Sequence, residues 1–201
     1  MMRRKLKLLI VMAVAAILVG CSIDEPSVNA GDFPFVKEGK TWICGITTYE
    51  MIGDTIIRGK SYKKLYKQNV DYYGDNNKHY FAAVREKDKQ VYAIKAKQRK
   101  EILLYDFSLE VGEFFTVKET EKYIIEYKVS EITHLIDTKR TMWYMFYFLN
   151  HQIYTTGFEY WIEGIGDLRS PFYSIEDTSV GSLYTCYEDD ICIYPCNLVD
   201  E

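Results

Sequence analysis

His79-Tyr80-Phe81-Ala82-Ala83-Val84-Arg85, Glu86-Lys87-Asp88-Lys89 and Gln90-Val91-Tyr92-Ala93-Ile94-Lys95 follow one another without a gap. Two short runs rich in aromatic and β-branched residues flank four charged ones, which reads as a β-hairpin. The same punctuation extends in both directions. Upstream, Tyr62 to Tyr66 precedes the loop Gly74-Asp75-Asn76-Asn77-Lys78, Thr55 to Ile57 lies between Gly53-Asp54 and Arg58-Gly59-Lys60, and Trp42 to Met51 forms the first run. Downstream come Ile102 to Leu109, Phe114 to Val117, and Tyr123 to Ile132, which alternates in part. Thr141 to Leu149 is so aromatic that a central, buried strand is expected. Phe158 to Ile162 follows, then a hairpin of Tyr184 to Tyr187 and Ile191 to Tyr194 turning at Glu188-Asp189-Asp190. Helical periodicity is weak, and Val129 to Ile136 is the best short-helix segment. Repeated turns at short spacing favour antiparallel pairing over βαβ units. The expected fold is mainly β, a single antiparallel β-sandwich or partly open β-barrel with little helix, spanning residues 40–201.

Composition agrees with that reading. Eighteen Tyr, ten Phe and three Trp supply bulky apolar surface. About 180 residues beyond the N-terminal segment suit one domain with a sizeable core.

The N-terminus reads as an address. Arg3, Arg4, Lys5 and Lys7 precede the unbroken apolar run Leu8 to Val19, a secretory-signal pattern. Its twelve residues fall short of the roughly 20 that span a bilayer as a helix. Leu18-Val19-Gly20-Cys21 resembles the lipobox of bacterial lipoproteins. The resemblance implies cleavage before Cys21, a diacylglyceryl thioether on its sulfur, and acylation of the new amine. Residues 1–20 are then the signal peptide, and 21–39 the lipidated N-terminus and a flexible tether. Attachment to the membrane would run through the acyl chains, since several chains anchor stably where one does not.

Removing residues 1–20 takes four basic and no acidic residues from 25 Lys+Arg and 29 Asp+Glu, leaving a net charge near −8. That balance argues against nucleic acid, whose binding rests on neutralised phosphates. Asp24-Glu25 near Cys21 resembles in part the acidic signal that sends Bacteroidetes lipoproteins to the cell surface. Tyr49 to Thr55, Gly59 to Tyr66, Val84-Arg85-Glu86, Leu103 to Gly112 and Glu163-Gly164-Ile165-Gly166, in that order, resemble a module of uncharacterised Bacteroidetes secreted proteins and lipoproteins. The likeness covers roughly residues 40–196 and implies a β-rich exported domain, with no catalytic residues to transfer; the expected location is the outer membrane, lipid-anchored, with exposure at the cell surface as an option.

Besides Cys21, the cysteines are Cys44, Cys186, Cys192 and Cys196. An even set in an exported chain reads as disulfides. With Asp189 at the hairpin centre, Cys186 faces Cys192, leaving Cys44 with Cys196. The competing scheme pairs Cys186 with Cys196 and Cys44 with Cys192. No CxxC pair or nearby His supports zinc.

No motif amounts to a reaction mechanism. Gly53 to Ser61 superficially resembles a phosphate-binding loop, but five residues rather than four separate Gly53 from Gly59, so no nucleotide is expected. Asp75-Asn76-Asn77 has oxygen ligands for calcium, yet His79 and Tyr80 break the EF-hand pattern. His79, His134 and His151 lack metal-ligand spacing, and Ser108 and Ser130 lack a nucleophile elbow. No cofactor or metal is expected. Glu159, Glu163 and Asp167 among Phe158, Tyr160 and Trp161 offer two readings. Paired carboxylates suit glycoside hydrolysis; exposed Tyr160 or Trp161 with Glu163 suits glycan binding. Trp161 is expected inside and Tyr160 on the opposite strand face. Met142 to Phe148 reads as a core strand, or as the wall of a lipid-like carrier if a cavity lies behind it. The preferred function is a non-catalytic lipoprotein that serves as a binding or structural module of the envelope, with a glycan or an envelope protein as its partner. An exported hydrolase and a lipid carrier are the alternatives.

Overall fold

Asp88 and Lys89 both adopt left-handed backbone (φ 52° and 65°), as the two central residues of a type I′ hairpin require. They join β4 (Asn76–Lys87) to β5 (Gln90–Lys95) with Lys87 paired to Gln90. Around this hairpin β1 (Thr41–Cys44), β2 (Thr47–Ile57), β3 (Lys60–Val70), β4, β5 and β6 (Ile102–Asp106) supply six strands of an eight-stranded antiparallel sheet. The chain then crosses to β7 (Phe114–Glu119), β8 (Ile124–His134), β9 (Thr141–Leu149), β10 (Gln152–Ile153), β11 (Glu159–Ile162) and β12 (Gly166–Asp167), and returns with β13 (Leu183–Glu188) and β14 (Ile191–Tyr194). This computed structural model describes residues 33–70, 76–119, 124–136, 139–150, 152–153, 159–176 and 181–195.

The first sheet has the order β14-β13-β1-β2-β3-β4-β5-β6 and the second β12-β11-β9-β8-β7, with β10 also pairing β9. Their inner faces share one buried cluster: Trp42, Tyr49, Leu65, Val84 and Val91 from the first, Phe115, Tyr127, Val129, Trp143 and Met145 from the second. The fold is thus mainly β, two antiparallel sheets over a common core. Among the described residues the helical element is one 3-10 turn, Tyr173–Ile175.

Several local readings are corrected. Val129 to Ile136 is not helical: Val129 to His134 belongs to β8, where a bulge between Val129 and Glu131 adds Ser130. That extra residue sets Val129 and Ile132 three apart, which imitates helical spacing. Gly53 does not end a strand. It sits in a bulge of β2 with φ 72°, its N–H bonded to Glu38 Oε1 at 2.9 Å. Trp42 to Met51 is instead divided between β1 and β2 at Gly45-Ile46. β9 is central, but its burial is one-sided: Trp143 and Met145 are in the core while Met142, Tyr144, Phe146 and Phe148 are half-buried.

The packed domain also takes in residues 33–39, assigned above to the tether. Phe35 is fully buried against Trp42, Tyr105 and Phe172. Glu86 accepts the Phe35 and Val36 amides at 2.8 and 3.1 Å. Buried Lys40 pairs with Glu188 at 2.6 Å and donates to the Pro34 carbonyl at 2.7 Å.

The terminal hairpin turns at two residues, not three. Asp189 and Asp190 are both left-handed (φ 50° and 65°), so Glu188 pairs with Ile191 and Tyr187 with Cys192. A bulge then sets Cys186 opposite Tyr194, and the expected facing of Cys186 and Cys192 is lost. Cys44 and Cys186 are buried free thiols. Cys196 lies outside the described residues, as do Cys21, Asp75 and His151.

Candidate functional site

β11 and β12 form a corner joined by Glu163-Gly164-Ile165, with Trp161 paired to Asp167 and Ile162 to Gly166. Gly164 (φ 72°) is obligatory there: a Cβ would lie 2.6 Å from the Phe33 carbonyl oxygen. Strand alternation turns Glu159 and Trp161 to the core, and Asp167 faces the same way from across the ladder. The bond from Leu168 N to Tyr160 O at 3.0 Å carries the pairing onward and brings Arg169 beside Glu159.

The result is an acid pair beneath an arginine. Arg169 Nη2 lies 2.6 Å from Glu159 Oε1 and donates to the Tyr127 hydroxyl of β8 at 3.1 Å. Asp167 Oδ1 accepts the Arg169 amide at 2.7 Å. The Asp167 amide donates to the Tyr105 hydroxyl of β6 at 3.0 Å, and that hydroxyl donates to the Pro171 carbonyl at 2.6 Å. Arg169 thus holds both acids, Glu159 through its guanidinium and Asp167 through its amide. Asp167 is 4% exposed and the Glu159 side chain 10%. Burial, then the Glu159 charge, pushes the Asp167 carboxyl up to about 7. Burial also raises Glu159, opposed by Tyr127 and Arg169.

Buried polar atoms without a protein partner gather in this stretch: Glu159 Oε2, Trp161 Nε1 and Ser170 Oγ. Such atoms are rare in folded proteins and mark strain or function. At the surface, the Arg169 guanidinium stands 5.1 Å from the Tyr173 ring, and Tyr173 is 44% exposed.

The other sequence-picked residues separate. Trp161 is buried among Tyr105, Phe115 and Tyr127. Glu163 is enclosed, with Lys89 3.8 Å from its carboxylate and Arg140 bonded to its carbonyl at 2.9 Å. Neither offers a platform. Tyr160 lies half-buried on the outward face, edge-on to Tyr144 at 5.1 Å, and Glu131 is exposed opposite Tyr144. Ser130 donates to the Tyr144 carbonyl at 2.9 Å, and Ser108 to Asp106, so neither is poised as a nucleophile. His79 and His134 are exposed and lie in different sheets. The inner side chain Trp143 of β9 packs against Phe107 at 5.3 Å rather than lining a carrier wall.

Chemically, glycoside hydrolysis needs two carboxyls that both reach a bound sugar, and here Arg169 occupies Glu159 Oε1. Asp167 is also sealed from any substrate. The pair can hold a proton and orient Arg169, but the arrangement is poor for cleaving a glycosidic bond. Sequence reasoning singled out Glu159, Glu163 and Asp167, with Glu159 and Glu163 as the acids of a hydrolase; Glu163 turns instead to Lys89, and Tyr127, Arg169, Tyr144 and Glu131 were missed. The Asp167-Leu168-Arg169 spacing carries a weak signal for a charge on the same strand face; Tyr127 has none, since pairing across β9 and β11 brings it near.

No protein-family model, curated protein or solved structure matches this chain.

Proposed function

We propose that this chain is a lipid-anchored envelope protein whose β domain binds a glycan without converting it. The anchor rests on the basic and apolar N-terminus ending at Cys21, and the outer membrane is the expected location. The observation that carries the binding half is the outward face of the second sheet. There Tyr160 and Tyr144 meet edge-on and Glu131 lies opposite Tyr144. Tyrosine rings stack on the apolar faces of pyranose sugars, and a nearby carboxylate accepts sugar hydroxyls. The sealed geometry of Glu159 and Asp167 supports binding over hydrolysis, and the filled core behind β9 weakens the carrier reading. The test is a glycan array probed with the purified mature protein. Binding that is lost in Tyr160→Ala with unchanged thermal stability supports the reading. A wild-type protein that binds no glycan, or hydrolyses one, contradicts it.

A further inference from the structure

We propose that the loop between β5 and β6, with the outer face of β3 to β5 beside it, binds an acidic polysaccharide. The loop runs Ala96-Lys97-Gln98-Arg99-Lys100, and Lys97 to Lys100 are all exposed. Among the described residues Lys97, Arg99 and Lys100 enter no ion pair. In a chain that is acidic overall, these cations reverse the charge locally. Lys64 of β3, opposite Ala83 of β4, adds a further cation with no ion pair among the described residues.

The loop is fixed at both ends. The Ala96 amide donates to the Phe81 carbonyl at 2.8 Å and the Gln98 amide to the Lys95 carbonyl at 3.0 Å, with Lys97 left-handed between them (φ 65°). At the other end Glu101 accepts from Arg85 Nε at 2.6 Å, from the Tyr62 hydroxyl at 2.6 Å and from Lys60 at 3.2 Å. Glu101 is thus committed to two cations of other strands and does not neutralise Arg99 or Lys100. Val91 and Ala93 of β5 point into the central core, so alternation turns Tyr92 and Ile94 to the outer face. There Ile94 joins Tyr62 and Ala83 in a small buried cluster of its own. Two further acids of this face are engaged as well, Glu50 by Lys78 at 2.5 Å and Asp106 by Gln90 at 2.6 Å.

The chemistry of the face selects the partner. Ammonium and guanidinium groups make charge-assisted hydrogen bonds to carboxylates and sulfates, and Gln98 offers a neutral donor and acceptor between them. The rings are engaged by cations of this chain: Arg85 stands 4.0 Å from the Tyr92 ring and 5.9 Å from that of Tyr62, and Lys78 5.7 Å from Tyr66. Base stacking, which carries much of single-strand nucleic acid binding, would have to displace them. The loop holds no large apolar side chain to enter a bilayer. Recognition by charge and hydrogen bonds suits a sugar chain that bears acidic groups. This face belongs to the first sheet and is independent of the Tyr160 face of the second.

The test measures binding of the purified mature protein to heparin and to polygalacturonate, with oligothymidylate and phosphatidylglycerol vesicles as competing polyanions. The wild type is expected to bind at least one of the two polysaccharides. The triple variant Lys97→Ala, Arg99→Ala, Lys100→Ala is expected to bind it about tenfold more weakly at an unchanged melting temperature. Lys97→Arg with Lys100→Arg keeps the charge and should bind as the wild type does. Tyr160→Ala should leave this binding intact, which separates the patch from the glycan face of the second sheet. A wild type that binds neither polysaccharide overturns the proposal, as does a triple variant that binds equally well or a loss caused by Tyr160→Ala. Tighter binding to oligothymidylate or to the vesicles than to either polysaccharide overturns it too.

Discussion

Phe35 places its ring 5.2 Å from that of Trp42, so a residue ahead of the first strand forms part of the central core. Both side chains are fully buried, and Phe172 packs edge-on against each. The segment from Phe33 to Lys40 is therefore a structural element of the domain, held by Glu86, Lys40 and Glu188.

Phe35→Ala is expected to destabilise the domain by about 3–5 kcal/mol through lost burial and the cavity left behind. Urea unfolding measures it. Tyr173→Ala, at an exposed ring, should stay within about 0.5 kcal/mol of the wild type. Equal effects of the two would remove Phe35 from the core.

A second prediction concerns an enclosed ion pair. Lys67 Nζ lies 2.8 Å from Glu176 Oε2, and the Tyr49 hydroxyl donates to Glu176 Oε1. Burial raises the Tyr49 hydroxyl, and Glu176 raises it further, so the phenol stays a donor. Glu176→Ala leaves a buried ammonium without its partner and should cost about 3–5 kcal/mol. The double variant Lys67→Met, Glu176→Gln removes both charges and should recover most of that loss. A double-mutant cycle with no coupling would contradict the pairing.

The strands themselves were readable because each turn announces itself. Glu86-Lys87-Asp88-Lys89 between two runs rich in aromatic and β-branched residues is a strong hairpin signal; β5 falls at Gln90–Lys95 as its residues indicate, while Glu86 and Lys87 extend β4 and the turn is Asp88-Lys89. What escaped was single-residue register. Ser130 and Gly53 are bulges, one imitating a helical spacing and the other a strand break. Asp189-Asp190 adopts two left-handed residues that a three-residue turn would not need, and this shift moves Cys192 off Cys186. The acid pair was half-legible. Glu159 and Asp167 lie close in the chain, but their burial depends on Tyr127, Tyr105 and Arg169, which converge only through the sheet.

The thiols give a third prediction. Burial pushes both Cys44 and Cys186 up to about 12, which makes them poor nucleophiles. In the native protein an alkylating reagent should leave Cys44 and Cys186 untouched. In urea without reductant both should react. Peptide mapping that finds Cys186 linked to Cys192 would contradict the observed register.

Anchoring through Cys21 is the claim on which the proposed location and role rest, and mass spectrometry of the N-terminal peptide from the membrane fraction tests it most directly. The account predicts a chain that begins at Cys21, bearing a diacylglyceryl thioether and an acylated amine. In Cys21→Ala the account predicts an uncleaved precursor without lipid. A wild-type N-terminus that retains residues 1–20 with an unmodified Cys21 thiol would contradict it.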